Sequence, residues 1–274
     1  MTTRRTTTVF FDVDGTLVES EQHGHRLAFN DAFARAGLDD RWDEATYADL
    51  LAVTGGARRL AAWFAQDPSS AVSTASVADL SRRLHREKTR IFIEMCHSGA
   101  VPERAGAQRL VAELAASGAQ LAITTTGSRA WVEPLVTKLF GVDTFAFMIT
   151  GDDVLNTKPS PEAYLMALDR IDHECADVVA IEDSMPGLKA SVGANIPTVL
   201  VANAETAPGD WSNAALALTG FGDLPADTVV FDPSGLCPDG LLTASVVTTV
   251  ARTGPASDRS STTGGTPIID MEHA

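Results

Sequence analysis

Short, continuously apolar segments recur along the chain, and helical patterns separate most of them. A parallel strand that is covered by helices on both faces is apolar at consecutive positions, whereas a strand with one solvated face alternates. The pattern therefore predicts an α/β fold with a doubly wound parallel sheet. The predicted strands are TVFF (8–11), QLAIT (120–124), FAFMI (145–149), DVVAI (177–181), TVLV (198–201) and TVVF (228–231).

Residues 20–98 contain no such segment, and their apolar positions follow helical spacing. The helices of this region are predicted to end at Gly37, Gly55 and Pro68. We therefore expect a helical cap domain inserted after the first strand of a Rossmann-like core. The predicted domains are the discontinuous core (1–19 and 99–251), the cap (20–98) and a disordered tail rich in Ser, Thr and Gly (252–274).

The composition argues against several classes of protein. With 274 residues, of which 45% are hydrophobic, the chain can bury a sizeable core. It has no apolar run of about 18 residues and no recognisable signal peptide, so we expect a cytoplasmic protein with no membrane partner. The net charge of −15 argues against nucleic acid as a partner. Cys96, Cys175 and Cys237 show no CxxC spacing, so we expect reduced thiols and neither a disulfide nor a zinc site.

Polar side chains follow three of the predicted strands at the point where each strand ends. Ligands bind at the carboxyl ends of the strands in an open parallel sheet, so we expect these side chains to form one site. They are Asp12 and Asp14, Thr125 and Thr126, and Glu182 and Asp183. The motif DVDG taken alone also fits a surface turn, so its combination with the other strand ends carries the prediction.

Lys158 adds a positive charge to this set. It lies just before Pro159 and a predicted helix start at Ser160, where a lone lysine also fits a surface position. Carboxylates that lie close together repel unless a cation separates them, and oxygen ligands without a His or Cys cluster favour Mg²⁺. Mg²⁺ bound to phosphate would let a carboxylate attack phosphorus. We therefore interpret Asp12 as a candidate nucleophile and Asp14 as a proton-transfer group.

The segments DVDGTLVES, AITTTGS, TKPSPEAY and AIEDSMPGLKA resemble, in this order, the four motifs of the haloacid dehalogenase superfamily of aspartyl-phosphate phosphotransferases. The resemblance covers about residues 8–202. It implies that Asp12 is the nucleophile, Asp14 the general acid and base, Thr125 the phosphate-binding hydroxyl and Lys158 the phosphate clamp, with Thr126 also binding substrate. It further implies a Mg²⁺ cofactor bound by Asp12, Asp183 and the main-chain carbonyl of Asp14, with Glu182 in support.

The cap segments EQHGHRLAFNDAF, WDEATYADLL, TGGARRL and LHREKTRIF resemble those of the CbbY-like proteins within this superfamily. These are sugar-phosphate phosphatases that hydrolyse xylulose 1,5-bisphosphate in Calvin-cycle organisms. The resemblance implies that Glu19, His25, Arg59 and Lys88 face the substrate from the cap.

A loop of the cap also predicts an anion site from its residues. Gly55 and Gly56 precede a predicted helix with Arg58 and Arg59 near its start, and a helix N-terminus with arginines binds anions readily. A second phosphate could bind there. Because the two arginines are neighbours, we expect at most one of them to point at the site. The loop reads GGARR where a sequence like GGKER is expected from the family, which leaves the exact sugar phosphate open.

Three functions are compatible with these patterns. The first is a Mg²⁺-dependent phosphatase of a small sugar phosphate, most simply xylulose 1,5-bisphosphate. The second is a sugar phosphomutase of the β-phosphoglucomutase type, and the third is a sugar-phosphate binder without catalysis. In each case the partner is a small molecule, and we expect a monomer or a weak dimer. A hinge near residues 19–21 and 97–101 would let the cap close over the core.

Overall fold

The computed structural model describes residues 5–53, 55–66, 74–171, 176–203 and 210–253. Its core is a seven-stranded sheet with the strand order β3-β2-β1-β4-β5-β6-β7. The strands are β1 (Thr6–Phe11), β2 (Gln120–Thr124), β3 (Met148–Ile149), β4 (Ala176–Glu182), β5 (Thr198–Val201), β6 (Leu216–Leu218) and β7 (Val229–Phe231). All neighbouring pairs are parallel except β6 and β7. The predicted doubly wound α/β fold is confirmed.

Two details of the sheet differ from the sequence prediction. Strand β6 lies in a segment with no predicted strand, because its apolar run AALAL (214–218) is rich in alanine, which is uncommon in strands. The predicted strand TVVF forms β7, which pairs antiparallel to β6 and was expected to be parallel. The connection between β6 and β7 contains no helix, and a parallel pairing requires a longer crossover connection.

Helices cover both faces of the sheet. The helices are α1 (Arg26–Arg35), α2 (Glu44–Leu50), α3 (Gly56–Phe64), α4 (Thr74–Ser98), α5 (Ala107–Ala116), α6 (Arg129–Phe140), α7 (Glu162–Leu168), α8 (Met185–Gly193) and α9 (Ala244–Arg252). Val9 and Phe11 of β1 pack in the cluster that contains α5, α6 and α9, whereas Phe10 packs with α7 and α8. Burial on both faces explains why β1 is apolar at consecutive positions.

The described residues between 20 and 98 lie mostly in helices, and no strand lies among them, which agrees with the sequence prediction. A single π-helical turn, Glu21–His25, leads into α1, and α1 to α4 pack around the fully buried Trp42. The ring centroids of Phe29 and Phe33 lie 4.7 Å and 5.0 Å from that of Trp42. This aromatic cluster gives the cap a hydrophobic centre of its own, so its helices can present side chains towards the core.

Some predictions fall outside the described residues, namely those for Pro68, for Cys175 and for residues 254–274 of the tail. Arg252, which the sequence assigned to the tail, is the last residue of α9. Cys96 and Cys237 are buried, free thiols. Among the described residues, no helix has both the length and the apolar character needed to cross a lipid bilayer.

Candidate active site

Asp12 lies at the carboxyl end of β1, and its main-chain N–H continues the sheet by donating to the carbonyl of Ile181 at 3.0 Å. The residue is 6% exposed. Three residues later the chain turns away at Gly15, whose φ is +81°. A Cβ atom at Gly15 would lie 2.3 Å from Oδ2 of Asp183, so the close approach of this turn to Asp183 requires glycine. The central strand thus holds the Asp12 carboxylate at one position in the sheet edge.

Three buried carboxylates meet at this edge: Asp12, Glu182 and Asp183. One ligand oxygen from each lies within 4.8 Å of the others. Lys158 Nζ lies 2.7 Å from Asp12 Oδ1 and 2.5 Å from Glu182 Oε1, and it donates to the carbonyl of Thr124 at 2.8 Å. Lys158 therefore lies in the site and not on the surface.

Burial and mutual repulsion make the carboxyl groups of this cluster weaker acids than usual. Burial raises the pKa of Asp12, against the opposing effect of Lys158, and it raises the pKa of Asp183 well above its ordinary value. Burial also raises the pKa of Glu182, to about 7. Burial lowers the pKa of Lys158, but the negative charges of Asp12 and Glu182 outweigh it and raise that pKa overall. When all three carboxyl groups are ionised, the site holds more negative charge than one lysine neutralises.

A divalent cation fits this donor set. Oxygens of three buried carboxylates are hard ligands of the kind that Mg²⁺ prefers. Glu182 Oε2 is buried and has no hydrogen-bond partner among the described residues, while Glu182 Oε1 accepts from the Tyr164 hydroxyl at 2.5 Å. Asn203 Nδ2 donates to Asp183 Oδ2 at 3.1 Å, which orients that carboxylate. A cation would relieve the excess negative charge described above.

Asp14 connects the core to the cap. His25 Nε2 lies 3.2 Å from Asp14 Oδ2, and Lys88 Nζ lies 2.9 Å from His25 Nδ1. The Ser20 hydroxyl also donates to Asp14. Burial raises the pKa of Asp14, but attraction to His25 and hydrogen bonds from His25 and Ser20 outweigh burial and lower that pKa to about 2. Burial lowers the pKa of Lys88 to about 8.

Aromatic contacts support the same connection. The ring centroid of His25 lies 3.9 Å from that of Phe92 on α4, and Phe92 lies 5.2 Å from Trp131 on α6 of the core. Lys88 Nζ lies 5.0 Å from the ring centroids of Phe29 and Phe92. The cap therefore packs against the core in this structure, and His25 contacts Asp14, the acid–base candidate.

The two adjacent cap arginines differ in burial. Arg59 is 8% exposed, and it donates from Nε to the carbonyl of Leu50 at 3.0 Å and from Nη1 to the Tyr47 hydroxyl at 2.9 Å. The Tyr47 hydroxyl in turn donates to Glu21 Oε2 at 2.7 Å. Arg58 is exposed. A chain of hydrogen bonds thus joins Arg59 to Glu21, which belongs to a group with Asp14 and His25 whose ligand atoms lie within 4.8 Å of one another.

The glycines of the cap loop lie at the start of α3. Gly55 precedes the helix with a φ of +94°, and Gly56 is its first residue, whereas the sequence placed both glycines ahead of the helix. A Cβ atom at Gly56 would lie 2.5 Å from Cδ2 of His85 on α4. Close packing against α4 is therefore one reason for glycine at this position.

The remaining candidates lie at different distances from this centre. Thr125 is buried at the end of β2, and its hydroxyl accepts from the N–H of Gly127 at 3.1 Å. Thr126, the next residue, is exposed. Glu19 Oε1 lies 3.8 Å from Nε of Arg104 in the connection between core and cap. The substrate contacts predicted for Thr126, Arg58 and Glu19 stay predictions.

Five residues that the sequence analysis did not single out complete the arrangement: Glu21, Tyr47, Arg104, Tyr164 and Asn203. Tyr164 lies on α7, and its hydroxyl donates to Glu182. Glu21 and Tyr47 could have been found from the sequence, because both lie in the cap segments that carry the family resemblance. Arg104 and Asn203 carry no local signal, because their partners come from distant parts of the chain.

Comparison with known proteins agrees with this geometry. Residues 6–195 match the family model of the haloacid dehalogenase-like hydrolases. The chain is 40% identical over 223 residues to the plasmid-encoded protein CbbY of Cupriavidus necator, a match that covers 80% of this chain and 87% of that protein. A crystal structure of CbbY from Rhodobacter sphaeroides in complex with phosphate has a TM-score of 0.62 at 34% identity, and covers 80% of this chain and 96% of that one.

A second crystal structure shows a mutant of that Rhodobacter protein in complex with xylulose 1,5-bisphosphate. Its TM-score is 0.62 at 34% identity, and the match covers 80% of this chain and 96% of that one. The four motifs, the strand-end carboxylates and the inserted helical cap are all present in the chain described here. This chain therefore belongs to the haloacid dehalogenase-like hydrolases, as a phosphoric monoester hydrolase of the CbbY-like group.

Proposed function

We propose that this protein is a Mg²⁺-dependent phosphatase that converts xylulose 1,5-bisphosphate to xylulose 5-phosphate through an aspartyl-phosphate on Asp12. The observation that carries the proposal is the position of Asp12 in the site. Its carboxylate is buried at a strand end, paired with Lys158 and next to an acid–base candidate that the cap contacts. The similarity to a CbbY protein crystallised with this bisphosphate supports the choice of substrate.

In the first half of the reaction, a carboxylate oxygen of Asp12 attacks phosphorus and the bond from phosphorus to the sugar oxygen breaks. Asp14 donates a proton to the departing sugar oxygen, which leaves as an alcohol. In the second half, Asp14 takes a proton from water, and the resulting hydroxide releases phosphate and restores Asp12. Lys158 neutralises negative charge beside Asp12 in both halves.

The two roles of Asp14 need different protonation states. The pKa of about 2 in this structure favours the ionised carboxylate, which suits the second half of the reaction. The first half needs a protonated Asp14. An anionic phosphate beside the carboxylate raises its pKa, so substrate binding itself favours the protonated form.

Mg²⁺, when bound by Asp12, Asp183 and the main-chain carbonyl of Asp14 with Glu182 in support, would neutralise the charge of the phosphoryl group. The hydroxyl of Thr125 would bind the same group. The proposed reaction takes place in the cytoplasm.

The cap supplies the groups that would select the substrate. Arg59 is buried and near the N-terminus of α3, where a second phosphate would meet both a guanidinium and a helix end. Lys88 Nζ lies beside His25, which in turn contacts Asp14. A cation beside Asp12, at Lys158, and further cationic groups in the cap favour a bisphosphate over a monophosphate.

The test is phosphate release by the purified protein with Mg²⁺ from pentose and hexose mono- and bisphosphates. We expect the highest kcat/KM for xylulose 1,5-bisphosphate and no release by Asp12→Asn. Asp31→Asn, on the outer side of α1, is the control and should retain activity. Formation of an isomeric sugar phosphate without phosphate release would identify a mutase instead. Binding of the bisphosphate with no turnover by the wild type would identify a binder.

A further inference from the structure

Arg104 is a buried arginine in the return connection from the cap to the core, and it is 5% exposed. Its guanidinium donates to main-chain carbonyls from three separate segments. Nη1 donates to Gly15 at 2.7 Å, and Nη2 donates to Ala202 at 2.6 Å and to Thr219 at 3.0 Å. Nη1 also donates to the carbonyl of Val201. Arg104 thus joins the turn after β1 to the ends of β5 and β6.

Two of these carbonyls, those of Gly15 and Ala202, belong to residues that adjoin a group of the proposed metal site. Gly15 directly follows Asp14, whose main-chain carbonyl is a proposed Mg²⁺ ligand. Ala202 directly precedes Asn203, which donates to Asp183 Oδ2 at 3.1 Å. The Gly15 turn and Asp183 also pack in direct contact. Arg104 is therefore bonded to two segments that each contact the Asp183 carboxylate.

Arg104 also belongs to the pair of segments that connects core and cap. Its N–H donates to the carbonyl of Leu17 at 2.9 Å, and the N–H of Glu19 donates to the carbonyl of Pro102 at 3.0 Å. The outgoing and returning connections are therefore bonded to each other as a short antiparallel pair. Because the guanidinium fixes this pair to the core, a cap movement would bend the chain beyond the pair, on the cap side of Glu19.

We propose that Arg104 is a positioning residue for the metal site, which holds the Gly15 turn and the Ala202–Asn203 segment against Asp183 while the cap moves. The inference rests on the metal site of the proposed function. A neutral or shorter side chain would leave four carbonyls, three of them buried, without this donor, and the turn and segment would shift relative to Asp183. Partners that orient metal ligands typically contribute about 10- to 100-fold in metal affinity.

Arg109 on α5 offers a matched control. It also donates to two main-chain carbonyls, those of Leu242 at 3.1 Å and Phe221 at 3.3 Å, but neither belongs to the metal site. The experiment compares Arg104→Lys and Arg104→Met with Arg109→Lys and Arg109→Met in the full chain. The Mn²⁺ dissociation constant is measured without substrate, by electron paramagnetic resonance of free Mn²⁺, and Tm is measured alongside.

We expect Arg104→Met to raise the Mn²⁺ dissociation constant at least about tenfold and Arg104→Lys to raise it less, because an ammonium reaches fewer carbonyls. The Arg109 variants should lower Tm without changing Mn²⁺ binding. If Arg104→Met does not fold, Arg104→Lys carries the test. Mn²⁺ affinities of the folded Arg104 variants within about twofold of the wild type would overturn the inference, since a purely structural role changes Tm alone.

The proposed function can fail separately from this inference. A wild-type protein that binds Mn²⁺ but releases no phosphate from any sugar phosphate would refute the function, and weaker Mn²⁺ binding by the Arg104 variants would still support the positioning role. A folded wild-type protein that binds no Mn²⁺ would refute both.

Discussion

In the core, Asp12 and Lys158 lie on a central strand and on the loop before α7, and their charged atoms are 2.7 Å apart in a buried setting. In the cap, the π-helical turn carries His25, which contacts Asp14, and α4 carries Lys88, which contacts His25. Arg59 on α3 is bonded through Tyr47 to Glu21, which lies near Asp14. The core half is fixed by the sheet itself, whereas the cap half depends on how the two domains meet. We therefore expect core substitutions to affect the chemical step and cap substitutions to affect pH dependence or substrate binding.

The largest effect should follow from Lys158→Met, which removes the cation bonded to Asp12 and Glu182. Loss of one preorganised donor to the reacting group costs about 100- to 1,000-fold in kcat. The measurement is kcat for phosphate release, and the exposed Lys189→Met on α8 is the control. A decrease in kcat of less than about tenfold would contradict the role of Lys158 in neutralising charge in the transition state.

An intermediate effect should follow from His25→Gln. His25 lowers the pKa of Asp14, so its removal raises that pKa, and Asp14 loses its proton at a higher pH. Because the second half of the reaction needs ionised Asp14, the acidic limb of the pH profile of kcat should move to higher pH, with a loss of about 100-fold at acidic pH. His23→Gln, an exposed residue of the same turn, should leave the profile unchanged. If the acidic limb of the pH profile did not move in the His25 variant, the predicted effect of this cap residue on the acid–base step would be contradicted.

The smallest effect should follow from Arg59→Lys, which keeps the charge but loses the forked geometry of the guanidinium. We expect KM for the bisphosphate to rise about tenfold, with little change in kcat and little change for a monophosphate. Arg58→Lys, one residue earlier and exposed, is the matched control. Equal changes in both variants, or a change for the monophosphate as large as for the bisphosphate, would count against a second phosphate at Arg59.

Most of the core site could be predicted from the sequence because each residue directly follows a buried strand. A run such as VFF or VVAI identifies the strand, and parallel strands end at one edge of the sheet. The position of Lys158 was less certain from the sequence, since a lysine before a proline also fits the surface. The bond from Tyr164 to Glu182 could not be predicted, because the sequence pattern does not show whether the hydroxyl of a tyrosine has a partner.

The cap was harder to predict in detail. Helical spacing indicated where α1 to α4 lie, but it does not specify the π-helical turn that places Glu21 near Asp14 and His25. Burial separates Arg59 from Arg58, which are equivalent in composition and adjacent in sequence. Strand β6 was not predicted, since its alanine-rich segment carries little strand signal, whereas β7 was predicted as a strand but not as an antiparallel one.

By itself the sequence determined the α/β class, the inserted helical cap and the carboxylates at the strand ends, because each depends on local periodicity or on the residue that follows a strand. Tertiary structure alone decided the contact of His25 with Asp14 and the bonds of Arg104 to Gly15 and Ala202. These contacts join residues from different segments, and their geometry follows from packing between elements and between domains. A local sequence pattern indicates which side chains of a segment are buried. The contacts between residues of different segments are known only from the folded structure.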